Sequence, residues 1–226
     1  QDIIEEALEK GVNVYVFDPT SQWSGFLDDL SDEEMFGFFD KFDMDEDEAR
    51  SYSGRIKVVK DPQEYINIGS MIQEDDEESD EGKIYIYDVS NLKSEDMDVY
   101  VAQTIKNIFD NNPQERNEVK DIIVFDEAHR LLPRFGGEGM GMTMLERGVR
   151  EFRKWGIGIL LVSQVIGDFD MEARANIRTQ VQLWTRDEKE LERVKEKFGE
   201  EHMKSISKAN VGTGMVFNSD YNKGRP

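Results

Sequence analysis

The residues with the greatest chemical potential are clustered in Asp121-Ile-Ile-Val-Phe-Asp126-Glu127-Ala-His129. Ile122 to Phe125 form a short continuous apolar run, the pattern of a strand buried on both faces of a parallel sheet. Two carboxylates follow where such a strand emerges at its C-terminal edge, and open α/β sheets place their chemistry at that edge. Asp126 there can hold Mg²⁺ through water. Glu127 can orient or deprotonate an attacking water. A second polar exit follows Gly156-Ile-Gly-Ile-Leu-Leu-Val162, where Ser163 and Gln164 come next. If the two strands adjoin, Gln164 can hydrogen-bond a γ-phosphate or the attacking water, and Ser163 is expected among the nucleotide contacts. A third group is basic. Arg147, Arg150, Arg153 and Lys154 recur at helical spacing, so several share a face. Arg150 and Arg153 suit either a neighbouring subunit's nucleotide or a phosphate backbone, because the guanidinium is a planar fork of donors. A solvated basic face is the simpler reading of the same pattern.

An apolar strand ending in Asp-Glu is the Walker B pattern of a nucleoside triphosphatase. Its usual companion, a glycine-rich loop of the form G-x-x-x-x-G-K-[ST] that cradles phosphates, does not occur in these residues. Asp2 to Lys10 reads instead as the second half of an amphipathic helix closed by Gly11. The expectation is therefore a domain whose Walker A motif lies upstream of Gln1. The glycine-rich stretch from Leu131 to Met142 lacks the Lys-Ser/Thr ending and reads as a mobile or channel-facing loop.

Elements to position these groups follow from the pattern along the chain. Strands are expected at Val12–Phe17 (leading into Asp18-Pro-Thr-Ser-Gln-Trp23), Arg55–Val59, Lys83–Asp88, Ile122–Phe125 and Gly156–Val162, with closing strands at Thr179–Thr185 and Val211–Phe217. Helices are expected over 98–111, 143–155 and 187–198. Strand–helix alternation with short apolar strands implies right-handed crossovers and a mostly parallel sheet. The fold expected is thus α/β, one domain over 1–226, with an acidic Phe-rich insertion around 24–54 and a flexible acidic loop around 74–82. Within the insertion, Ser31-Asp-Glu-Glu34 is a capping box opening a helix rich in Phe. Asp43, Asp45 and Asp47 lack the Gly and final Glu of a calcium loop.

Composition sets outer limits. The chain has 226 residues and a net charge of −21, which argues against polyanion binding by the whole surface but leaves room for a basic pore. Asp121 to Gly158 carries as many Lys and Arg as Asp and Glu. Cys is absent and His numbers two, which excludes disulfides and thiolate zinc sites. No apolar run reaches the length of a membrane span. A cytoplasmic protein is expected.

Taken in order, Asp18-Pro19, Asp126-Glu-Ala-His129, Arg150-Glu-Phe-Arg153-Lys154-Trp-Gly156-Ile-Gly and Val162-Ser-Gln164 resemble the HerA/FtsK superfamily of P-loop ATPases, in particular archaeal HerA-like ATPases. Asn176 to Glu192 and Gly212-Thr-Gly-Met look like that family's closing segments. The resemblance covers most of the chain apart from the Phe-rich insertion. It implies a RecA-like core working in a ring, usually a hexamer, with ATP and Mg²⁺ between subunits and double-stranded DNA moved through the pore. It also implies a nuclease partner of NurA type. Gln22-Trp23 departs from the acidic–aromatic pair frequent at that place in the family. Two alternatives stay open: a conjugation-type DNA-pumping ATPase, and a non-catalytic relative that assembles with an active partner. A superfamily-two helicase is disfavoured, since neither its Ser-Ala-Thr motif nor its Gln-x-x-Gly-Arg motif is present.

Overall fold

The computed structural model describes residues 2–29, 50–66, 68, 80–111, 114–132, 139–164, 176–210 and 213–218. Most of the acidic insertion, with its capping box, and most of the acidic run after residue 73 lie outside these residues, as does the centre of the glycine-rich stretch. Residues 1–163 and 164–226 form two compact units.

In the first unit, helix α1 (Asp2–Glu9) leads into β1 (Asn13–Asp18) through Gly11, whose φ of 72° suits glycine at a helix end. A 3₁₀ turn (Trp23–Phe26) follows, then β2 (Gly54–Val58), β3 (Ile84–Asp88), α2 (Ser94–Asp110), β4 (Asp121–Phe125), the one-turn α3 (Ala128–Leu131) and α4 (Met140–Glu151). A second 3₁₀ turn (Phe152–Trp155) and β5 (Ile157–Leu161) close the unit. The strands build one sheet in the order β2-β3-β1-β4-β5, with every pairing parallel. This is the α/β class read from the pattern of apolar strands.

Alternation along the strands assigns the two faces. Val14 and Val16 pack with Ile84, Ile86 and Val124 beneath Ile4, Ala7 and Leu8 of α1. Tyr15, Phe17, Tyr85, Tyr87 and Phe125 point the other way. There Phe17 stacks on Phe125 at 4.9 Å between centroids and meets Tyr100 of α2 edge-on at 5.7 Å. β1 is covered on both faces, and each of Val14 to Phe17 is fully buried. At about 1.5–3 kcal/mol per buried large apolar side chain, this central strand is a rigid base for the loops that leave its end.

The second unit is a two-stranded antiparallel sheet, β6 (Thr179–Leu183) with β7 (Gly214–Asn218), joined through α5 (Glu188–Phe198) and α6 (Glu200–Lys208). Asp187 caps α5 by accepting from the backbone N–H of Glu190 at 3.0 Å. Phe198 packs on Phe217 at 5.2 Å, and Val194 and Ile206 are buried.

Candidate nucleotide-hydrolysis site

The site is assembled by strand register. Asp18 lies opposite Asp88 in the β1–β3 pair, and Phe17 lies opposite Phe125 in the β1–β4 pair. Three strand ends therefore deliver Asp18, Asp88 and Asp126 side by side at the C-terminal edge of the sheet. Neighbouring parallel strands lie about 4.8 Å apart.

Asp126 and Glu127 occupy the turn between β4 and α3. Glu127 has φ 42° and ψ 50°, the left-handed region. A β-carbon there costs on the order of 1–3 kcal/mol, and such backbone strain concentrates at functional sites. The turn is held on both sides. The N–H of Asp126 donates to Phe17 O at 3.3 Å, and the N–H of Ala128 donates to Val162 O at 2.9 Å. His129 Nδ1 lies 3.3 Å from Glu127 Oε2, and both side chains are partly exposed. Glu127 is thus neither buried nor free to swing, which suits a group that must meet a water.

The loop after β1 wraps back over this edge. Asp18 is 1% exposed. Its Oδ1 accepts from the N–H and hydroxyl of Thr20 at 2.9 and 3.0 Å, and its Oδ2 accepts from the N–H of Trp23 at 3.0 Å. Ser21, which also has a positive φ, donates its hydroxyl to Asp88 Oδ2 at 2.7 Å. Burial works against the charge of Asp88, but hydrogen bonds from Ser90 and Ser21 outweigh it and hold the carboxyl below its usual range. Trp23 stacks on Phe26 with centroids 5.4 Å apart, and its indole N–H donates to Asp126 Oδ2 at 2.9 Å. The departure noted at Gln22-Trp23 gave no hint that Trp23 bonds Asp126. The signal available was an aromatic with a polar edge on a strand-exit loop.

The remaining expected residues fall as follows. β5 pairs with β4, and Ser163 and Gln164 come just past its end, with Ser163 partly buried and Gln164 exposed. Gln164 opens the second unit. Arg147 stacks over Phe109 at 3.9 Å and pairs with Glu151, one turn on, at 3.3 Å. Arg150 and Arg153 are exposed on α4 and the 3₁₀ turn after it. Neither forms a side-chain ion pair with another described residue.

The donor set bears on metal binding. No cluster of three or more His, Asp or Glu among the described residues is arranged to grip a cation. Asp126, with one oxygen engaged by Trp23, fits instead the single carboxylate that holds Mg²⁺ through water while phosphates complete the shell. No helix among the described residues is long and apolar enough to cross a membrane.

Comparison with known proteins gives no match to a family model and none to a curated relative. Solved structures do match. The genome packaging NTPase B204 of Sulfolobus turreted icosahedral virus 2 with AMPPCP is 10% identical, with a TM-score of 0.51, over 96% of this chain and 80% of that one. The same protein with ATP-γS aligns over 92% of both chains at 11% identity and TM-score 0.43. VirB4 of Thermoanaerobacter pseudethanolicus is 20% identical over 62% of this chain and 39% of its own, with a TM-score of 0.48. The parallel sheet and its flanking helices share the fold of the B204 NTPase.

Proposed function

We propose that this chain carries the hydrolytic part of an ATP-driven DNA-translocating motor of the HerA/FtsK superfamily. One observation carries the reading. Asp126 and the left-handed Glu127 stand at the exit of a largely buried parallel strand, with the carboxylate of Asp18 at the end of the adjoining strand and that of Asp88 at the end of the next. The similarity in fold to a viral genome packaging NTPase solved with AMPPCP supports ATP as the nucleotide, and double-stranded DNA as the load is what the HerA/FtsK resemblance implies.

In this reading Asp126 holds the waters of a bound Mg²⁺, which would neutralise charge developing on the phosphates. Glu127 accepts a proton from, or orients, the attacking water. Ser163 leaves the neighbouring strand at this edge as a nucleotide contact, and Gln164, next in the chain, is the residue expected to sense the γ-phosphate. Arg150 or Arg153 faces the adjoining subunit of a ring, taken here as a hexamer around double-stranded DNA. A NurA-type nuclease is the partner that the HerA resemblance implies.

The test is the intact protein with Glu127→Gln. It should bind ATP, and its DNA-stimulated hydrolysis should fall by about 10² to 10⁴. Wild-type turnover in that variant would remove the assignment.

A further inference from the structure

The loop between β1 and the first 3₁₀ turn does more than connect. Asp18 is almost wholly buried, and it spends both carboxylate oxygens on that loop, gripping Thr20 through Oδ1 and the backbone of Trp23 through Oδ2. Phe26 covers one face of the Trp23 ring, and Tyr52 meets Phe26 in turn at 6.1 Å. The indole is therefore locked in plane and direction before its N–H is used. That N–H meets Asp126 Oδ2 at 2.9 Å across 103 residues of sequence. Indole can only donate, and a bond to a carboxylate is charge-assisted and directional.

We propose that Trp23 is a positioning residue for Asp126, through which the buried Asp18 fixes the orientation of the carboxylate that holds the metal. With Oδ2 committed to the indole, Oδ1 is the oxygen left for a metal-bound water. An unrestrained Asp can rotate about χ2 and present either oxygen, so the bond removes that freedom in advance. Partners that orient a metal-holding group in this way govern metal affinity by about 10- to 100-fold. The aromatic at position 23 is thereby required for its N–H and not only for its ring. The inference rests on Asp126 acting as the proposed metal-holding residue.

Trp23→Phe in the intact protein separates the two functions of the side chain. It keeps a ring to stack on Phe26 and deletes the donor. Binding of Mn²⁺ in the presence of ATP, read from the electron paramagnetic resonance of free Mn²⁺, should weaken about 10- to 100-fold. Circular dichroism should stay as in wild type. In ¹⁵N-Trp-labelled protein the Trp23 indole resonance, identified by its loss in Trp23→Phe, should move in Asp126→Ala. An unchanged Mn²⁺ affinity in folded Trp23→Phe would overturn the inference and leave the motor reading intact. An indole resonance indifferent to Asp126→Ala would overturn it as well, even if Trp23→Phe fails to fold. Wild-type protein that binds no Mn²⁺ with ATP would sink the motor reading, and this inference with it.

Discussion

Asp121 and Asp126 bracket one strand and show how position decides what a carboxylate does. Asp126 emerges at the chemical edge, partly exposed. Asp121 enters at the opposite edge, 4% exposed, with Arg116 Nη1 at 3.7 Å. Burial raises the pKa of Asp121 above the usual carboxylate range, and the nearby Arg116 guanidinium only partly opposes it. The native state therefore binds this proton more readily than the unfolded chain. The contribution from Asp121 is fully present below the unfolded value of about 4 and is lost as pH rises through the folded value. Relative to Asp121→Asn, the wild type should lose stability across that window. Urea unfolding from about pH 4 to about pH 7 measures it. Parallel curves for the two proteins would show that Asp121 titrates as an ordinary exposed carboxyl.

At the scale of elements, α4 is placed by a neighbour and not by its own ends. No side chain of its N-cap residue, Gly139, can cap it. Asp98 of α2 serves instead, accepting from the N–H of Gly141 at 3.2 Å. A β-carbon at Gly141 would meet Asp98 Oδ1 at 2.6 Å and Leu132 Cδ2 at 2.9 Å. At the other end Gly156, with φ 70°, turns the chain from the 3₁₀ segment into β5, and a β-carbon there would lie 2.3 Å from Glu118 O. These two glycines set where the arginine-bearing helix begins and where β5 starts. Gly156→Ala combines backbone strain with overpacking and should cost about 1–3 kcal/mol. At about 2–4 °C per kcal/mol for a chain of this size, calorimetry should show a clear fall in Tm. An unchanged Tm would mean that β5 can shift without penalty.

At the scale of the whole molecule, the prediction concerns an arginine acting between subunits. Arg147 is occupied by Phe109 and Glu151, which leaves Arg150 and Arg153 on the same basic segment. An arginine supplied in trans is worth about 10³ to 10⁵ in rate. Mixing Arg150→Ala or Arg153→Ala protein with Glu127→Gln protein should restore ATPase activity, because some interfaces regain both a working Glu and a working Arg. No recovery at any mixing ratio, with assembly intact by light scattering, would place the arginine in the same subunit as its site. A monomeric ATPase indifferent to DNA would count against a ring altogether.

The sheet was legible in the sequence because its strands other than the edge strand β2 are short, mostly apolar runs, and a chain end that leaves a buried strand as Asp or Asp-Glu can only do so at the solvated edge. Asp18, Asp88 and Asp126-Glu127 follow from that rule alone. Periodicity found α5 but placed the start of α2 four residues late and the start of α4 three residues late. Met140-Gly-Met reads as loop when no local cap is visible, and the cap comes from Asp98, far away in the chain. Helix α6 went unread because Gly199 breaks the pattern before it. The pairing of β6 with β7 is likewise a long-range contact that neither segment announces. What tertiary structure alone decided was the order β2-β3-β1-β4-β5, the left-handed turn at Glu127, and the indole of Trp23 on Asp126. A residue's type limits which bonds it can make. Which partner it meets depends on strand register and loop closure, and these are settled only when the whole core packs.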